Sequence, residues 1–274
     1  MQYVEANGAR IPAIGLGTMT LKETLCVDIV STALKSGWRH LDTAQMYGNE
    51  REVGEGLRAS GIRREDVFLT TKVWWDKLGA ADFERSVDES LQKLGVSWVD
   101  LLLIHWPSPS VPLSETIPLL NKVKREGKTK HIGVANFNIA LLDEASRLTK
   151  EPLVNEQLEV HPYLDQTKIL GAIRRHGLTT TAYCPIARGK APGDTTLERI
   201  GKAHGKSPGQ VSLRWLVQQG IVPIPRTSKK ERLAENMAVF DFTLSDAEMA
   251  EIAKLKRPDG RIVSPSPQAP KWDS

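Results

Sequence analysis

Short runs of apolar and β-branched residues recur along the chain, separated by stretches whose apolar positions fall three and four apart. The runs are IPAIGLGT (11–18), HLDTA (40–44), VFLTTKV (67–73), VDLLLIHW (99–106), HIGVANF (131–137), LVNEQLEV (153–160), LTTTAYCP (178–185) and GIVPIPRT (220–227). Between them lie helical patterns with charged outer positions, such as FERSVDESLQKLG and LERIGKAHGKSPGQVSLRWLVQQG. Strand-like and helix-like segments in alternation predict βα units with parallel strands. Near-continuous apolar strands are buried on both faces, which favours a closed (β/α)8 TIM barrel over the alternative, a doubly wound sheet. The opening VEANGARIP predicts a β-hairpin through Asn7-Gly8, because Asn-Gly suits a type I′ turn, and that hairpin is expected to cover one end of the barrel. No composition break divides the chain, so residues 1–274 are expected to form one barrel domain.

Composition narrows the classes. Of the 274 residues, 40% are hydrophobic and 26% charged, enough for a sizeable core under an ordinary polar surface. The net charge of +4 is mild, and basic residues are interspersed with acidic ones, so neither nucleic acid nor a membrane surface is an expected partner. No apolar run approaches the roughly 18 residues that span a bilayer. The start MQYVEANGAR has no apolar signal core, and two cysteines, Cys26 and Cys184, make no disulfide framework. A reduced, cytoplasmic, monomeric protein is the expectation.

Three motif look-alikes fall away on inspection. Gly15-Leu16-Gly17 begins like a dinucleotide fingerprint but lacks the third glycine. GKAHGKS (201–207) imitates a P-loop with one residue too few between its glycines, and it lies within helical periodicity rather than after a strand. Glu159 and His161 hint at a metal, yet no second cluster joins them, so no metal site is expected and the pair reads as structural.

A barrel places its chemistry at the C-terminal ends of its strands. The second run ends at Asp42 and leads to Tyr47, the third ends near Lys72, and the fourth ends at His105. Singly, each has a plain explanation: a turn carboxylate, a packing aromatic, a snorkelling ammonium, a satisfied core histidine. A lysine after FLTT and a histidine after LLLI are costly in apolar surroundings without partners. Four such groups at three successive strand ends would meet on one rim, and that convergence favours chemistry.

The motifs DTAQMYGNE, TTKVW, LLLIHWP, GVANF, LVNEQLEVHPYL, AYCPIARG and IPRTSKKERLAEN, in this order, resemble the aldo-keto reductase family. The resemblance runs from GLGT at residue 15 to the C-terminal tail. LIHWPSPS and the ending GRIVSPSPQAPKWD are most similar to its bacterial diketogluconate-reducing group. It implies a (β/α)8 barrel that binds NADP(H) without a Rossmann domain and reduces aldehydes and ketones to alcohols. Tyr47 would then be the general acid, Asp42 and Lys72 its ion-pair partners, and His105 a donor to the carbonyl oxygen. The chemistry is coherent, since a carbonyl that accepts hydride becomes an alkoxide and needs a proton. An ammonium about 4 Å from a phenol contributes up to roughly 4 kcal/mol at an effective dielectric of 20, so Lys72 is expected to lower the Tyr47 pKa. Asp42 would keep Lys72 charged while limiting that shift.

The resemblance also implies cofactor contacts from Gly17, Thr18, Asp42, Asn136, Gln157, Tyr183, Pro185, Ile186, Arg188, Gly189, Arg226, Thr227, Arg232 and Asn236. Asn136 and Gln157 match holders of the nicotinamide carboxamide, and Tyr183 the aromatic stacked on its ring. Ala135 replaces the usual Ser before that Asn, removing one hydrogen bond. Glu156 precedes Gln157 where Asn is usual, setting a carboxylate beside the carboxamide site. Arg226, with a planar bidentate donor, suits an adenosine 2′-phosphate, and Arg232 and Asn236, four apart, share a helical face. NADPH is therefore expected over NADH. Met19, Tyr47, Trp74, His105 and Trp106 are expected to line the substrate pocket, with Trp272 and a short Pro-rich tail as a small lid. Small dicarbonyls, methylglyoxal-like aldehydes and keto-sugars such as 2,5-diketo-D-gluconate are the expected substrates. The same parts admit two other classes: a Lys72 Schiff-base lyase of aldolase type, and a non-catalytic, NADP-binding regulatory barrel. Asn49 and Glu52 are expected to form a capping box for the helix after Tyr47.

Overall fold

A computed structural model describes residues 2–273. The chain opens with β1 (Tyr3–Ala6) and β2 (Ala9–Pro12), an antiparallel hairpin whose turn residues Asn7 and Gly8 both have positive φ, as a type I′ turn requires. Then follow β3 (Leu16–Gly17), α1 (Glu23–Lys35), β4 (His40–Asp42), α2 (Glu50–Ser60), β5 (Phe68–Val73), α3 (Phe83–Leu94) and β6 (Val99–Ile104). The alternation continues with α4 (Leu113–Arg125), β7 (Thr129–Ala135), α5 (Ile139–Leu148), β8 (Leu153–Glu159), α6 (Thr167–Arg175) and β9 (Thr179–Tyr183). Next come α7 (Thr195–His204), α8 (Pro208–Gln218), β10 (Ile221–Pro223), α9 (Glu231–Met237) and α10 (Asp246–Ala253).

Strands β3 to β10 pair in parallel and in sequence order, the (β/α)8 arrangement. The first and last approach through two backbone hydrogen bonds, from Gly15 N to Pro223 O (3.0 Å) and from Gly17 N to Pro225 O (3.1 Å). A Cβ on Gly17 would lie 2.8 Å from the Ile224 carbonyl oxygen, so this seam tolerates only glycine. The glycines that imitated a dinucleotide fingerprint are thus seam residues.

Side chains alternate across each strand. Leu102 and Ile104 of β6 face the large core between sheet and helices, whereas Leu101 and Leu103 join Phe68, Ala135, Val154 and Val222 in a separate inner cluster. Ala9 and Ile11 of the hairpin belong to that inner cluster, and Asn7 Nδ2 donates to Leu153 O (2.6 Å) at the start of β8. The hairpin therefore plugs the N-terminal end. The opposite end is left for loops. Among the described residues no helix is long and apolar enough to cross a membrane.

Two local expectations are corrected. The helical pattern across 197–220 is broken at Gly205, which is left-handed and ends α7; Ser207 and Gln210 then form a capping box for α8. Asn49 is the N-cap residue of α2 but makes no cap bond. Its amide instead donates to Thr18 O (2.8 Å) and Leu21 O (2.9 Å), and its carbonyl accepts from Thr43 Oγ1 (3.0 Å). Tying together the ends of β3 and β4 outweighs one cap bond.

Candidate active site

The alternation that turns Leu101 and Leu103 inward carries His105 to the inner face just past β6. On β5 the same phase takes Phe68 and Lys72 inward, while Leu69 and Val73 face the helices. Asp42 ends β4 beside Leu41, which faces out. A 3-10 turn, Gln45–Tyr47, then returns Tyr47 over the rim. The rim forms because a two-residue period runs on after the apolar residues stop.

Lys72 and Asp42 are buried, with Nζ 2.5 Å from Asp42 Oδ1. The ammonium also donates to Thr43 O (2.8 Å) and lies 3.5 Å from the Tyr47 hydroxyl oxygen. The second Asp42 oxygen accepts from Gln157 Nε2 (2.7 Å), so β8 joins the cluster across the barrel. Asn136, at positive φ, donates to His105 O (2.9 Å) and accepts from the Tyr183 hydroxyl (2.7 Å). The His105 ring meets the edges of Tyr47 (5.7 Å) and Trp74 (5.0 Å), and its buried Nδ1 has no hydrogen-bond partner. Asp42, Tyr47, Lys72, His105, Asn136, Gln157, Tyr183 and Trp74 are therefore one network at one end of the barrel.

Burial governs the protonation of this network. It pulls the His105 pKa well below the usual imidazole value, and the Lys72 charge adds to that, so the imidazole is neutral. It pulls Lys72 down too, and the Asp42 carboxylate opposes that pull. Tyr47 is pushed well above the usual phenol value, first by burial and then by the Asp42 charge. This corrects the expected direction, because burial raises the phenol and an ammonium already paired to a carboxylate at 2.5 Å offsets little of that. Tyr47 keeps its proton.

Around this network lie the other predicted residues. Thr18 donates through both N and Oγ1 to Asp42 O (3.0 Å each). Pro185, Ile186, Arg188 and Gly189 form the loop after β9, where Cys184, Ala187 and Arg188 all hold positive φ. Such clustered strain in non-glycine residues is a mark of functional loops. Beyond β10, Arg226, Lys229, Lys230 and Arg232 are exposed around one turn, Thr227 is buried, and Asn236 shares α9 with Arg232. That cationic donor set fits a phosphate. Met19 is exposed at the mouth. Trp106 is buried and packs edge-on against Trp272 (6.1 Å), so the tail reaches the residue that follows His105.

Two departures resolve locally. Ala135 sits in the inner apolar cluster. Glu156 accepts from Phe137 N (3.0 Å) behind the strand and braces the turn into α5, while its neighbour Gln157 reaches Asp42 across the barrel. The two adjacent side chains thus face opposite ways. Glu159 and His161 bind each other (2.8 Å), and Glu159 also accepts from Ile262 N (2.7 Å) and Val263 N (2.8 Å), which anchors the tail. One positioning residue, Gln45, escaped the sequence reading, and another, Asn49, was expected only as a helix cap. Gln45 accepts from Trp74 N (3.0 Å) and donates to Ser86 O (2.9 Å), and Asn49 ties the loops. Both lie inside DTAQMYGNE, where the titratable groups and the expected cap stand out.

Comparison with known proteins agrees with this geometry. The Aldo/keto reductase family pattern matches residues 13–257. The methylglyoxal reductase DkgB of Escherichia coli O157:H7 is 40% identical over 266 residues, covering 96% of this chain and 99% of that protein. Morphine 6-dehydrogenase of Pseudomonas putida is 38% identical, covering 96% of this chain and 93% of that one. A crystal structure provisionally assigned as a 2,5-diketo-D-gluconic acid reductase B superimposes with a TM-score of 0.98 at 52% identity, covering 100% of this chain and 98% of that one. The chain belongs to the aldo/keto reductase family and is an oxidoreductase of carbonyl compounds with a nicotinamide cofactor.

Proposed function

We propose that this chain is an NADPH-dependent reductase of small dicarbonyls, aldehydes and keto-sugars, working as a cytoplasmic monomer built as one barrel domain. One observation carries the reading: Lys72 Nζ bridges Asp42 and Tyr47 at the strand-end rim, with the His105 ring edge-on to the phenol. Methylglyoxal and diketogluconate enter through the relatives, whose names attach to those substrates.

The nicotinamide, when bound, supplies hydride. Asn136, Gln157 and Tyr183 would hold it, with the strained loop at Pro185–Gly189 and Gly17 and Thr18 around it. Arg226, Thr227, Arg232 and Asn236 would take the adenosine end. This chain's residues then supply the proton. A neutral His105 donates a hydrogen bond to the carbonyl oxygen and favours charge developing there. Tyr47, protonated across the working pH range, donates its hydroxyl proton to the alkoxide oxygen. The phenolate left behind faces Lys72, whose ammonium holds that charge until solvent returns a proton. Met19, Trp74 and Trp106 shape the walls. Because Lys72 is ion-paired and also bonded to Thr43 O, it is a poor amine nucleophile, which favours proton transfer over Schiff-base chemistry.

The experiment is oxidation of NADPH and NADH against methylglyoxal, 2,5-diketo-D-gluconate and simple aldehydes, with the alcohol product measured. Turnover with alcohol formed one-for-one is expected, and Arg226→Ala is expected to raise KM for NADPH more than for NADH. NADPH binding without turnover of any carbonyl would contradict the reading.

A further inference from the structure

The loop between β3 and α1 stands against the turn that carries Tyr47, and its backbone is strained. Thr20 (φ 69°) and Glu23 (φ 49°) both hold the left-handed conformation that residues with a Cβ rarely adopt. Such conformations persist only where the surroundings impose them. Here Leu21 is fully buried in the core between sheet and helices, and its N–H donates to Thr18 O (3.0 Å). From the neighbouring loop, Asn49 holds the carbonyls of Thr18 and Leu21. The residue between these fixed points and α1 is Lys22, and its Nζ donates to the backbone oxygen of Tyr47.

Local preference does not account for a lysine at this position. Lys22 is the N-cap residue of α1, where Ser, Thr, Asp or Asn is favoured, and its side chain makes no cap bond. A cation at that end also opposes the helix dipole. The bond to Tyr47 O supplies the missing reason. A Cβ on Gly48 would lie 3.5 Å from Lys22 Nζ, so the ammonium rests against the chain just past Tyr47. The turn itself is slight, closed by Tyr47 N to Ala44 O and Gly48 N to Gln45 O (3.1 Å each). Gln45 ties its first residue toward β5 and α3, and Lys22 ties its last toward α1. Two lysines thus meet Tyr47, Lys72 at the hydroxyl (3.5 Å) and Lys22 at the backbone.

We propose that Lys22 is a positioning residue for proton transfer: its bond to Tyr47 O sets where the phenol stands over the rim. A hydroxyl displaced by a fraction of an ångström from the carbonyl oxygen transfers its proton more slowly, although the acid itself is unchanged. Lys22 therefore acts on the rate of the chemical step and not on cofactor binding. This rests on Tyr47 being the acid of a carbonyl-reducing site.

The test measures single-turnover NADPH oxidation with methylglyoxal in wild type, Lys22→Met and Lys22→Arg, each with Tyr47 intact and with Tyr47→Phe. Lys22 is exposed, so its substitutions are expected to leave folding intact. With Tyr47 present, Lys22→Met is expected to slow the step roughly 3- to 30-fold at unchanged NADPH affinity. Lys22→Arg, which can donate to the same oxygen, is expected to recover most of the rate. In the Tyr47→Phe background Lys22→Met is expected to cost nothing further, because there is no hydroxyl left to place. The solvent deuterium isotope effect is expected to rise in Lys22→Met, as proton transfer becomes the slower event. A wild-type rate in Lys22→Met, an equal loss in both backgrounds or an unaltered isotope effect would overturn the proposal. A wild-type rate in Tyr47→Phe alone would instead overturn the acid assignment beneath it.

Discussion

Lys72 Nζ stands 2.5 Å from Asp42 Oδ1, and both side chains are closed to solvent inside the barrel. The pair spans adjacent strands, β4 and β5. Each partner is further held, Asp42 by Gln157 and Lys72 by Thr43 O. A buried pair of this kind is expensive to break from one side, since the remaining charge loses its counter-charge but stays out of water.

Lys72→Met and Asp42→Asn are each expected to lower unfolding free energy by about 3–5 kcal/mol. The double variant is expected to lose much less than the sum, because it removes both charges together. Urea unfolding of the four proteins measures this. Additive losses would show that the two groups do not share an environment.

At the seam the limit is steric. Gly17→Ala places a methyl 2.8 Å from a backbone oxygen that cannot rotate away, so the two strands must part. A loss of about 1–3 kcal/mol is expected in chemical denaturation. An unchanged unfolding midpoint would mean that the seam is slack.

Glu156 gives a pH-dependent stability. Burial raises its pKa well above 4.5, the Phe137 N–H only partly opposing, so the folded protein holds this proton more tightly than the unfolded chain. The stabilisation is full below about pH 4.5 and is lost as pH rises through the folded value. Glu156→Gln keeps an acceptor for Phe137 N and has no proton to lose. Its Tm advantage over wild type is expected to grow with rising pH and to vanish near pH 4. A difference that does not vary with pH would refute the assignment.

Much of this was legible because strand period and chemistry share one register. Leu101, Leu103 and His105 are spaced by two, so one pattern yields both inner core and rim. The eight runs became β3 to β10, and Asn7-Gly8 became the hairpin turn. Less legible were contacts between segments distant in sequence. Nothing near Asn49 announces Thr18 and Leu21, which lie about thirty residues earlier, so the local capping pattern misled. Glu156 looked like a site residue because sequence proximity to Gln157 hides the fact that adjacent strand residues face opposite ways. The Tyr47 shift was misjudged for a different reason: pairwise Coulomb arithmetic with Lys72 left out the desolvation that the fold imposes.

Tyr47→Phe tests the central claim most directly. The substitution removes one hydroxyl and keeps the ring against His105. Single-turnover NADPH oxidation with methylglyoxal is expected to slow by about 10²- to 10⁴-fold, the range for loss of a positioned acid, with cofactor binding retained. A rate equal to wild type would show that the proton comes from elsewhere and that Lys72, Asp42 and Tyr47 are joined only as structure.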